Sequence, residues 1–255
     1  MIMDIFAKYI PNFLLILLRA GIVIGMLPFF GSKSIPVQFK IGLVVAIALI
    51  LTPVVHFEFS RSDIPVLVIR ELIFGLVLGF AARAVFIAVD MAGQMMSNAM
   101  GLSMAALFNP EMGQSTEVAD LYGIIVMLVF LATDAHHDLI YIFVRSYEWL
   151  PPGTVEVKGL VAEAVTITAK LFTIALKMSA PVVIIMVMTN LLLGFIYKAV
   201  PQINIFFVGH PFLIFVGFVV MLLGIPFFVQ VTGGSLATIK DEMTRVIVIA
   251  KGHHA

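Results

Sequence analysis

Ionisable side chains interrupt the apolar stretches of this chain at Arg19, Arg70, Glu71, Arg83, Asp90, Asp134, Asp138, Lys170 and Lys177. A charge in apolar surroundings is costly unless it is paired or hydrated, so each of these positions is a candidate for function. The densest run is RELIFGLVLGFAARAVFIAVDMAG, which opens with Arg70. Within it Glu71, Gly75, Gly79 and Arg83 recur at steps of four, a spacing that places them on one row of a helix. Asp90 follows near the same face. The two glycines let a neighbouring helix come close. Glu71 and Arg83 are therefore expected to be buried against that neighbour and to have partners there. Two readings stay open: a structural ion pair at a helix contact, or groups on a transport pathway. Gly21 and Gly25 form a second GxxxG, and Asn190, Gly194 and Lys198 form a third row at steps of four. Prolines punctuate nearly every apolar segment, a pattern that membrane helices tolerate where neighbours satisfy the freed backbone groups. Together these features predict a subunit of an assembly.

Other chemistry has little support. Asp134, His136, His137 and Asp138 are metal-ligating residue types, but adjacent side chains on a helix point apart. Four such groups are not expected to converge on one ion, and a helix-end role is preferred. There is no HExxH, GxSxG, Walker A or GxGxxG, so no enzyme activity, cofactor or metal is expected. The chain has no cysteine and a net charge of zero, which leaves no disulfide framework and no pull toward nucleic acid.

The elements that must carry these residues are membrane helices. The 255 residues are 62% hydrophobic and 12% charged, with a mean hydropathy of +1.14. A soluble domain is about one quarter charged. Apolar segments run over about 12–30, 39–57, 65–90, 120–144, 160–197 and 203–231, against a need of roughly 20 apolar residues per span. The fifth is too long for one span and is expected to break or kink at Ser179-Ala180-Pro181. With six spans, Lys8, Arg61, Arg145, Lys158, Lys240, Arg245 and Lys251 fall on one side and Lys33, Lys40 and Lys198 on the other. That bias puts both termini in the cytoplasm. The tail from Thr232 reads as polar and mildly amphipathic.

One segment fits neither a span nor a surface loop. Residues 96–117 read MSNAMGLSMAALFNPEMGQSTE, and no Lys or Arg occurs from Met91 to Asp120. Methionine is unbranched and adaptable, and Asn109-Pro110-Glu111 marks a turn. Such a segment sits at membrane depth only inside protein or beside water. It reads either as a re-entrant packing loop or as a deformable lip that closes a pore.

The chain resembles the FliR/SpaR/YscT family of flagellar and type III secretion export-gate proteins. The likeness covers roughly residues 5–235. It is carried by RAGIVIGMLPFFGSKSIP at 19–36, RELIFGLVLGFAARAVF at 70–86, GQMMSNAMGLSMAALFNPEMG at 93–113, LATDAHHDLI at 131–140 and APVVIIMVMTNLLLGFIYKAVPQINIFFVGHP at 180–211. The most specific pattern runs from Ala180 and Pro181 through Asn190, Gly194, Pro201, Gln202 and Asn204 to Phe206. Where the family usually has Arg, this chain has Lys198, which keeps the charge and loses the fork.

The resemblance implies an all-α integral membrane fold of bent, Pro/Gly-broken helical hairpins. It implies a FliP-like part at 1–175 followed by a FliQ-like hairpin and cytoplasmic tail at 176–255. It implies a core shared with several copies of FliP and FliQ, with FlhB and FlhA nearby, at the centre of the flagellar basal body in the inner membrane. Unfolded flagellar subunits would be the cargo. The family's plug loop falls at about 101–114, and its lining here would be Met100, Met104, Leu107, Phe108, Asn109, Pro110 and Met112. Two other functions are weighed. A secondary transporter for a small solute predicts an internal repeat, and none is evident. A scaffold without gating predicts that 101–114 tolerates replacement.

Overall fold

The computed structural model describes residues 2–27, 36–55, 64–102, 117–200 and 205–252, with backbone alone for 2–9, 205 and 206. Among the described residues there are helices and no strand: α1 (Ile2–Met26), α2 (Val37–Leu51), α3 (Ile64–Ala99), α4 (Glu117–Ala132), α5 (Ala135–Trp149), α6 (Leu160–Ala199), α7 (Ile205–Ala237) and α8 (Ile239–Ala250). Among the described residues three stretches are long and apolar enough to cross a membrane: Ile64–Ala99, Leu160–Ala199 and Phe207–Ala250. The protein is an all-α integral membrane protein.

The helix breaks differ from expectation at two places. The fourth apolar segment is not one helix. It ends at Ala132 and restarts at Ala135, because Asp134 takes the left-handed conformation with φ 55°. The expected break at Ser179-Ala180-Pro181 is absent, and α6 runs through Pro181 without interruption. Proline there removes one ladder hydrogen bond, a loss the rest of a 40-residue helix absorbs. The polar side chains of these apolar helices mostly turn back on their own backbone. The Thr133, Thr166, Thr168, Thr189 and Ser235 hydroxyls donate to the carbonyl four residues earlier, as does the Asn190 amide. A hydroxyl satisfied within its own helix can face lipid without a partner.

The chain packs as two compact units. The first comprises residues 1–84, 134–169 and 237–255. Here α1 lies on α2, and α5 lies on α8. The amphipathic α8 buries Ile239, Met243, Val246, Ile247 and Ala250, one apolar face at helical spacing. It is tied down by the Glu156 N–H, which donates to the Ala250 carbonyl at 2.8 Å. Ion pairs of Arg245 with the buried Glu163 (3.4 Å) and of Lys240 with Asp138 (3.4 Å) add to this. The second unit comprises residues 85–133 and 170–236. Its core includes an edge-to-face contact of Phe86 with Phe130 and another of Tyr122 with Phe228. Much of α6 and α7 is apolar and outward-facing, with Leu192, Phe195, Phe215, Leu222 and Leu223 all exposed. Each unit is assembled from separate stretches of the chain.

Candidate functional site

In the first unit the fully buried guanidinium of Arg19 (0% exposed) meets the fully buried carboxylate of Glu71 (0% exposed). The contact is bidentate: Nε donates to Oε2 at 2.7 Å and Nη2 to Oε1 at 2.8 Å. Nη1 donates to the carbonyls of Ser146 and Leu150 at 3.1 and 3.0 Å, at the C-terminal end of α5. That end of a helix carries partial negative charge and favours a cation. Glu71 Oε1 also accepts the Gly153 N–H at 3.3 Å. Gly153 has φ +98°, so the turn that delivers this N–H needs glycine. The guanidinium carbon lies 4.8 Å from the Phe74 ring centroid and 4.7 Å from that of Tyr147. The Tyr147 hydroxyl donates to the Ile16 carbonyl at 3.1 Å. α1, α3 and α5 are thus joined through one charged knot, and four of the five guanidinium N–H groups have acceptors.

The four-step row divides. Glu71, Gly75 and Gly79 are buried. Gly75 and Gly79 face Ile22 and Met26 of α1, and a Cβ at Gly79 would stand 2.9 Å from the Met26 sulfur. Arg83, expected to be buried with them, is exposed on the chain, as are Arg70 and Asp90. Helix geometry explains this. Each step of four overshoots a turn by about 40°, so Arg83 stands about 120° around the helix from Glu71. Asp90 accepts a hydrogen bond from Gln94 at 2.9 Å. The partner of Glu71 comes from α1, the helix that faces Gly75 and Gly79.

In the second unit α3 ends in a root for the Met-rich segment. Met100 is fully buried, and its side chain lies against Gly217 of α7. A Cβ at Gly217 would stand 2.6 Å from Met100 Cγ and Cε. Gly101 follows with φ +78°, and its carbonyl lies 3.1 Å from His210 Nε2. Earlier along α3, Gly93 lets α4 approach closely: a Cβ there would meet Ala119 Cα at 2.4 Å. No motif singles out Gly93 or Gly217, whereas the GxxxG spacing marks Gly21, Gly25, Gly75 and Gly79. Yet Gly25 and Gly194 have nothing within 4 Å of a Cβ position, and Gly21 has only an ordinary contact with Val44. Asn190 and Lys198 are exposed with Gly194. Met104, Leu107, Phe108, Asn109, Pro110 and Met112 lie outside the described residues.

The model of the family described as bacterial export proteins, family 1, matches residues 10–239. The chain belongs to this family. It is 31% identical over 237 residues to the flagellar biosynthetic protein FliR of Bacillus subtilis, covering 87% of each chain. It is 30% identical over 218 residues to FliR of Caulobacter vibrioides, covering 83% of this chain and 87% of that one. The secretion system apparatus protein SsaT of Salmonella typhimurium is 29% identical over 168 residues, covering 63% of each chain. The matched region of this export-family chain takes in both the knot and the root of the Met-rich segment.

In the acidic-histidine cluster three of the four groups come close together. The ligand atoms of Asp134, His136 and His137 lie within 4.8 Å of one another. The reason is Asp134, which stands outside the helix in the left-handed conformation and so escapes the helical divergence. Asp138 turns away to Lys240. The Asp134 and His137 side chains are largely exposed, and their contact of 3.8 Å is that of a helix start.

Proposed function

We propose that this export-family protein is a structural and gating subunit of a flagellar type III protein export channel. In that reading it assembles with FliP and FliQ in the inner membrane, at the centre of the basal body. FlhB and FlhA lie nearby, and unfolded flagellar subunits pass through. Residues 101–114 close the pore at rest. Arg83, Asn190, Gly194 and Lys198, exposed on the single chain, face neighbouring subunits, as does the exposed apolar surface of α6 and α7.

The observation that carries the gating role is the root of the Met-rich segment. The helix before it is fixed by the buried Met100, and the chain leaves that helix through a left-handed glycine. A segment held firmly at its root and lined by flexible apolar side chains can seal against ions yet yield to varied polypeptides. Met and Phe discriminate little among substrates. Deleting residues 105–112 is expected to leave the complex assembled but leaking ions, read as resting conductance in membranes that also contain the partner subunits. Unchanged conductance and export would refute the gate and favour a scaffold.

A further inference from the structure

We propose that Asp90, Gln94 and Asn98 of α3 form a wetted wall of the export path, with water rather than lipid or a neighbouring helix against them in the assembled complex; this assignment deepens the channel reading above and rests on it. Along the part of α3 that belongs to the second unit, residues 85–99, these three are the exposed residues, and all three are polar. Ile87 and Met91, on the same side, are half-buried. A helix turns by about 100° per residue, so the three fall within a sector of about 80° and rise about 12 Å along the axis. They make one continuous polar stripe on a helix that is long and apolar enough to cross a membrane.

Two contacts fix the level of the stripe within the unit. The Ser179 hydroxyl of α6 donates to the Met95 sulfur at 3.5 Å, and Met100 lies against Gly217 of α7. Near that level α6 and α7 turn Leu176, Phe215 and Phe218 outward. Lys177 is exposed beside Leu176, and its long stem can carry the charge along an apolar surface. One part of the unit's surface therefore suits lipid or an apolar neighbour. Another part, at the same level, presents a carboxylate and two amides. Such groups are costly in hydrocarbon unless they are hydrated or matched. Two observations favour water over a neighbouring helix. Gln94 Nε2 donates to Asp90 Oδ2 at 2.9 Å, so the carboxylate already has a partner on its own helix. Membrane helices approach each other through small residues, yet Ala88, Ala92 and Gly93 are buried inside the unit, Gly93 against Ala119. Amides both donate and accept, and through water they can meet the backbone of a polypeptide of any sequence.

The chain has no cysteine, so single thiols report on it position by position. Gln94→Cys, Asn98→Cys, Phe218→Cys and Ala88→Cys are each co-expressed with the partner subunits, and the complex is placed in lipid nanodiscs with its mass checked. A small membrane-impermeant thiol reagent is added, and the label is read as the mass of this chain. A thiol reacts as the thiolate, which apolar surroundings suppress. Labelling at 94 and 98 is therefore expected to be at least about tenfold faster than at 218 and 88. It should fall when a flagellar subunit fused to a domain that does not unfold is arrested in the channel. An assembled complex that is unlabelled at 94 and 98, while the isolated chain labels there, would make the stripe a subunit contact and overturn the wetted wall, with the channel reading left standing. Labelling that an arrested substrate leaves unchanged would place the stripe on open water and overturn it as well. A chain that forms no complex with partners would overturn the channel reading itself. Should Gln94→Cys fail to assemble, Asn98→Cys decides alone, since it leaves the Asp90–Gln94 hydrogen bond in place.

Discussion

Around Arg19 and Glu71 the contacts are charge-assisted, fully buried and shared among α1, α3 and α5. Around Met100 and Gly101 the holding forces are one hydrogen bond from a ring nitrogen and the packing of a thioether on a glycine. The first arrangement is expensive to open, because each separated partner would remain charged in apolar surroundings. The second can open and close, since a neutral hydrogen bond contributes about 1 kcal/mol net and methionine repacks readily. The knot is the firmer of the two holds and the root the more yielding one.

The largest expected effect sharpens this contrast at the knot. Glu71→Ala strands the buried Arg19 charge and is expected to cost about 3–5 kcal/mol, seen as lost protein in the membrane and a lowered unfolding midpoint in detergent. The double change Arg19→Met with Glu71→Leu should recover most of that loss, because two apolar side chains of similar length need no pairing. If the double variant were as unstable as Glu71→Ala, the knot would be doing something beyond satisfying its own charges.

A smaller effect separates two glycines that look alike in sequence. Gly93→Ala places a Cβ against the Ala119 backbone, which cannot move aside, and should cost about 1–3 kcal/mol. Gly194→Ala meets open space on the single chain and should stabilise it by up to about 1 kcal/mol, the helix-propensity difference. In the full complex Gly194→Ala should instead reduce the yield of assembled particles, if a neighbouring subunit packs there as proposed. Equal effects at both positions in the isolated chain would break the distinction. The smallest change in stability is expected for Arg83→Ala, within about 0.5 kcal/mol for an exposed side chain. Its readout is assembly, measured as the mass of the co-purified complex. A normally assembled complex with altered conductance would move Arg83 from a subunit contact to the export path.

Much of the fold was legible in the chain. The apolar segments at 65–90 and 160–197 became α3 and α6 because long carbon-rich stretches in a membrane satisfy their backbone only as helices. The break at Asp134 was not legible. Nothing in the apolar pattern of 120–144 marks a non-glycine residue that adopts φ 55°. Pro181 misled in the opposite sense, since proline is a local signal and a long helix can carry the loss of one hydrogen bond. Among candidate residues, the importance of Glu71 was visible and its partner was not. Steps of four placed Arg83 on the same buried row as Glu71, and the slow rotation of that row about the helix axis took Arg83 to the exposed side. The closeness of Asp134, His136 and His137 was not visible either, because the periodicity that separates neighbours holds only inside a helix and Asp134 stands outside it.

By itself the sequence determined the membrane class, the helices, the Met-rich segment and the kinship with export proteins. Those follow from composition, period and motif, which are local quantities. Tertiary structure alone decided that Arg19 meets Glu71, that Gly93 and Gly217 sit at close contacts, and that His210 reaches Gly101. These pairs lie far apart along the chain. Helix propensity and hydropathy carry no record of which faces will meet, so only packing, with its demand that buried charges and carbonyls find partners, selects them.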